Sequence, residues 1–232
     1  MSNHIPLKDF RAHRDLLPDE AFALPSGERP GPTDLISEKV WRGIVHLPDD
    51  VALTTSNHHG AQLGTLYGRW ADWIDAVDDG QEDELFDGML EAADCFQAST
   101  FDSLHGFYRA AAANLRSALE LIAIGALGNL APKDVDYERW KERNLGSFPF
   151  SSCMKKLRGA TSGVVRTPVL KAGGWPETLY EELCRFTHAR PDASDGALWH
   201  SNGPVYVSES FRLLYTLQIS TYAAGFVFAK IA

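Results

Sequence analysis

Arg116, Arg185 and His188 are the side chains of this sequence best suited to chemistry on an anionic substrate. Imidazole exchanges a proton near neutral pH, and guanidinium presents a planar fork of donors that matches a phosphate. Arg185 and His188 sit near the end of the stretch LYEELCRFTHARP. Read as a helix over Trp175–Ala189, this stretch puts Leu179, Leu183 and Phe186 on its apolar face. Glu177, Glu181, Arg185 and His188 then line the opposite face. His188 is thereby expected to face solvent, a groove or a partner subunit. It serves there either as one more solvated residue or as a proton-transfer group.

An irregular segment follows directly. Between Pro191 and Pro204 the chain carries Ser194, Asp195, Trp199, His200, Ser201 and Asn202, with DG and NG dipeptides that turn the backbone at positive φ. Its length and two prolines predict an ordered rim over residues 190–206 that holds His188 beside a polar groove. Trp199 either pins that rim to the body or stacks on a ligand. Ser201 and Asn202 are the candidate hydrogen-bonding residues.

A second constellation lies in the alanine-rich stretch Thr100–Gly128, read as one helix. At 100° steps, Asp102, His105, Arg109, Arg116 and Glu120 fall within about 60° of one another. The rest of that helix is apolar or small, so it is expected to be buried on most sides. The stripe is either a thin solvent face with an Arg116–Glu120 pair, or a polar seam against a second helix or a ligand. Arg109 and Glu120 join the candidate ligand-binding residues on the second reading.

The elements that must position these groups are helical throughout. Residues 1–33 hold five prolines and no sustained period, and read as an irregular arm; residues 34–232 read as one helical bundle domain. Asp34 is expected to cap a short helix to about His46, with Pro48 ending it. Ser56–Val77, about Glu82–Gln97, Thr100–Gly128, Trp175–Ala189 and a final helix from near Val207 follow. No alternating strand pattern interrupts them. The fold class is therefore all-α, a single-domain bundle of five or six main helices with long irregular loops.

Composition narrows the function. The chain has 232 residues and a net charge of −9, which argues against general nucleic-acid binding. Charge is uneven, however: residues 71–100 carry ten acidic and no basic side chains, whereas residues 101–190 carry thirteen basic and nine acidic ones. A local basic surface is thus compatible with the acidic total. Cys95, Cys153 and Cys184 form no CxxC and are odd in number, which predicts reduced thiols and a cytoplasmic location. No basic-then-apolar leader opens the chain. Phe211–Ala229 has the length of a membrane span but contains Arg212, Gln218, Ser220 and Thr221, so it reads as a core helix. Ala118–Ala131 reads as too short to span.

Motif tests are mostly negative. Ser152–Lys155 matches SxxK without its companion motifs, and GxSxG, Walker A, GxGxxG, HExxH and EF-hand patterns are absent. His58 and His59 are adjacent rather than helically spaced, and Asp72, Asp75 and Asp79 lack a histidine at suitable spacing, so no metal site and no cofactor are expected.

An arginine-bearing, alanine-rich helix, a later helix ending LYEELCRFTHARP and a bundle around them resemble HEPN-type domains. The resemblance spans about residues 100–230. It implies a bacterial defence or toxin–antitoxin protein, a homodimer, and metal-independent cleavage of RNA. Arg116 would supply the distant arginine and His188 the histidine. The family's motif separates its arginine and histidine by a longer spacer than Phe186 and Thr187 provide here, with a polar residue commonly after the arginine. HEPN-like relatives with degenerate motifs act as interaction modules. Two functions therefore stand: a metal-independent endoribonuclease using His188, Arg185 and Arg116, or a non-catalytic helical module that binds a partner protein or small ligand.

Overall fold

Each long run of helically spaced apolar residues forms a helix in the computed structural model, which describes residues 37–80, 83–143, 146–161, 170–187 and 203–232. Of these residues 83% are helical and none lies in a strand, as the all-α reading requires. The chain separates into two units, Met1–Trp41 and Arg42–Ala232. In the first, the described residues form the helical turn Glu38–Trp41; the expected arm over residues 1–33 lies outside the described residues.

The second unit begins with a π-helical segment, Arg42–His46, and continues through seven α-helices: α1 (Leu47–Asp78), α2 (Glu84–Leu104), α3 (Tyr108–Leu130), α4 (Val135–Lys141), α5 (Phe150–Thr161), α6 (Trp175–Thr187) and α7 (Ser208–Ile231). Pro48 does not end a helix but opens α1, because a first-turn residue has no N–H bond to lose. Asp83 and Asp134 start α2 and α4, each accepting two backbone N–H bonds of the first turn.

α3 is the centre of the bundle. It packs against α2, α5, α6 and α7, and from Ala118 to Gly128 only Glu120 and Leu121 are not fully buried. Gly88 and Gly125 let α2 and α3 approach closely: a Cβ at Gly88 would stand 2.7 Å from the Leu121 carbonyl oxygen, and one at Gly125 2.8 Å from that of Glu84. Trp73 docks α1 on this pair. Its indole N–H donates to the Met89 carbonyl at 2.9 Å, and its ring meets Phe96 and Phe226 edge-on.

The structure corrects the single helix expected over Thr100–Gly128. The chain breaks at His105–Phe107, with Gly106 at φ +82°, and reverses so that α2 and α3 are separate helices. A Cβ at Gly106 would overlap the backbone of Val205, so close approach as well as φ requires glycine. Asp102 and His105 consequently sit on the α2 side of the break rather than in one stripe with Arg109, Arg116 and Glu120.

α3, at 23 residues, is long and apolar enough by composition to cross a membrane, with 61% of its apolar window buried in the bundle. It exceeds the stretch Ala118–Ala131 because polar Arg109, Asn114 and Arg116 belong to the same helix. α7 is covered by α1, α2, α3 and α6. Its exposed residues are Glu209, Arg212, Thr216, Ala223 and Lys230, and no large apolar side chain of α7 is exposed.

Candidate functional site

Arg109, Arg116 and Glu120 share the face of α3 that meets α6, where Tyr180 and Thr187 stand opposite them. Arg116 Nε donates to Glu120 Oε1 at 3.1 Å, and Arg116 Nη1 lies 3.4 Å from Thr187 Oγ1. Tyr180 completes the group. Its hydroxyl donates to the same Glu120 oxygen at 2.5 Å, its ring lies 5.3 Å from the Arg116 guanidinium carbon, and its other contact is a stack on Phe150. Seven residues earlier in α3, Arg109 Nε donates to the Phe186 carbonyl at 3.3 Å. Two arginines of α3 thus hold the carboxyl end of α6, where unsatisfied carbonyls concentrate negative charge.

Electrostatics keep Arg116 charged and Tyr180 protonated. Burial alone would lower the Arg116 pKa, but Glu120, Tyr180 and Cys184 together raise it. Burial and the Glu120 hydrogen bond push the Tyr180 phenol well above its ordinary range, so Tyr180 stays a donor at neutral pH. Arg116 and Glu120 are each about one-third exposed on their side chains (30% and 29%), and they form a net-neutral pair. Of the five guanidinium N–H groups, two are used among the described residues.

The remaining candidates separate. Arg185 is not part of the seam: helical phase puts it on the other side of α6, where it pairs with Glu182 at 3.0 Å and its side chain is 60% exposed. His188, Trp199, Ser201 and Asn202 lie outside the described residues. Asp102 is half-buried and accepts from Asn114 Nδ2 at 2.9 Å; burial raises its pKa. His105 Nδ1 is bonded to the Phe101 carbonyl of its own helix end.

Tyr180 and Thr187 were not nominated by sequence. Their spacing of seven, on the face away from Arg185, was the available signal. A third group is also new: Ser208 Oγ lies 3.1 Å from His59 Nε2, a serine–histidine pair. It is no hydrolase triad among the described residues, because there His59 Nδ1 has no hydrogen-bond partner where an orienting carboxylate would stand, and the ring is buried. Among the described residues no three His, Cys, Asp or Glu side chains gather as metal ligands.

No protein-family model, curated protein or solved structure matches this chain.

Proposed function

We propose that the chain is a HEPN-like, metal-independent endoribonuclease of a bacterial defence or toxin–antitoxin system, acting in the cytoplasm as a homodimer. The observation that carries this reading is the Arg116–Thr187 contact, which brings the arginine to the residue that precedes His188 by one peptide bond. In the proposed reaction His188 takes the proton of a ribose 2′-OH, whose oxygen attacks the adjacent phosphorus as the P–O5′ bond breaks. A proton delivered to O5′ completes the step. Arg116, aligned by Glu120 and Tyr180, offsets charge on the phosphoryl oxygens. Arg185 contributes at most from the opposite face of α6, as a contact to flanking phosphates.

The test is incubation of the purified chain with single-stranded RNA in excess EDTA. Fragments ending in 2′,3′-cyclic phosphate and 5′-hydroxyl are the expected products.

One observation favours the alternative, a non-catalytic module for a partner protein or small ligand. Arg116 pairs with Glu120 and Arg185 with Glu182, so both nominated cations already carry a carboxylate. Intact RNA in that assay, together with a seam that binds no phosphate, would establish the alternative.

A further inference from the structure

α1 is not one straight helix. At His59 the backbone leaves helical geometry (φ −131°, ψ 23°), and the His59 side chain is buried at 2% exposure. Its Nε2 lies 3.1 Å from Ser208 Oγ and 3.4 Å from the Tyr206 hydroxyl, and its ring stacks on Phe211 with centroids 4.6 Å apart. His58 stacks on Tyr206 at 5.3 Å and is tied to the Thr54 carbonyl. Two consecutive histidines therefore hold Tyr206 and the start of α7 against the kink.

The arrangement suits one protonation state of His59. A neutral imidazole offers one lone pair, and the hydroxyls of Ser208 and Tyr206 can both donate toward Nε2. Nδ1 then carries the proton, buried and without a hydrogen-bond partner among the described residues. A second proton on Nε2 would force both hydroxyls to reverse, and would put a full charge in a buried site. Arg212 from α7 and His58 from α1 both act against that charge, and the Gln62 side chain favours it. Tyr206 contributes a neutral phenol, Ser208 a hydroxyl, and among the described residues no carboxylate acts on the ring. Arg212 itself makes no ion pair among the described residues.

We propose that the His59 junction is an acid-sensitive latch, which joins α1 to Tyr206 and the first turn of α7 while His59 is neutral and releases them when it is protonated. Burial foremost, then Arg212 and His58, depress the pKa of His59 below 6.5, with the nearby Gln62 side chain acting in the opposite sense. A depressed histidine contributes stability that is complete above the unfolded pKa near 6.5 and is lost as pH falls toward the lower folded value. The latch is thus closed at neutral pH and opens on acidification below that point.

Imidazole and amide NMR of the full chain, from about pH 7.5 to about pH 4.5, tests this. His59→Gln assigns the ring; should that variant not fold, selective labelling with Arg212→Gln serves instead, since residue 212 is exposed. His59 is expected to titrate below 6.5, the Tyr206 and Ser208 signals to move with the same midpoint, and the Trp73 indole to stay fixed. Arg212→Gln should raise the His59 midpoint. A midpoint at or above 6.5, or one indifferent to Arg212→Gln, overturns the proposal. So does loss of the Trp73 signal in the same step, because the transition would then be global unfolding.

Discussion

Tyr108 and Arg109, consecutive at the start of α3, hold the chain on both sides of residues 188–202. The Tyr108 hydroxyl accepts the N–H of Val207 at 2.9 Å, and Arg109 Nε donates to the carbonyl of Phe186 at 3.3 Å. Neighbouring residues on a helix point about 100° apart, so one turn of α3 reaches α6 on one side and the start of α7 on the other.

Tyr108→Phe tests the downstream tie. Tyr108 is 1% exposed and its ring would stay in place, but the Val207 amide would lose its acceptor. Val207 is half-buried, so its unpaired donor should cost about 1 kcal/mol, the low end of the range for a buried one. Urea unfolding should show a loss of that order, and hydrogen exchange at Val207 should accelerate. Unchanged exchange at Val207 would show that the bond does not hold the segment.

Gly106→Ala should be harsher. The residue sits at φ +82° and an added Cβ would meet the Val205 backbone rather than the end of a flexible side chain. Backbone strain of this kind costs about 1–3 kcal/mol before the steric overlap is counted. The expected result is a drop in melting temperature with α2 and α3 still helical by circular dichroism. A neutral substitution would contradict the reversal at His105–Phe107.

Cys153 offers a chemical probe of the core. Its thiol is fully buried and donates to the Ala123 carbonyl at 3.2 Å; burial, reinforced by Asp134, pushes its pKa up to about 12. Thiolate is the reactive form, so iodoacetamide at neutral pH should spare Cys153 until the chain unfolds. Cys95 and Cys184 are half-buried and should label first. Labelling of Cys153 at the rate of the other two would place it at a surface and contradict the packing of α5 on α3.

These tests bear on the parts the sequence concealed. α6 and α7 were legible almost to the residue, since Pro176 suits a first turn and the apolar spacing is regular up to their ends. The α2–α3 break was not. Phe101, Leu104, Phe107 and Tyr108 continue the apolar pattern through it, and a single glycine reads as tolerable inside a helix. What decides the reversal is Val205, about a hundred residues later in the chain. The Arg116–Glu120 pair was visible because its partners are four residues apart, whereas Tyr180 looked like an ordinary packing aromatic. Its role depends on which face of α6 meets α3, and periodicity alone leaves that open.

RNA cleavage in EDTA by Arg116→Ala and His188→Ala, set beside their melting temperatures, tests the proposed ribonuclease most directly. Loss of a general base or acid typically lowers the rate by about 10²–10⁴-fold. The His188 variant should fall in that range while melting close to the parent. Arg116→Ala should lose activity too, with some stability lost as well, because Glu120 and Tyr180 would keep a carboxylate without its cation. Cleavage that survives both substitutions, or activity that disappears only in step with the fold, would contradict a catalytic site at the end of α6.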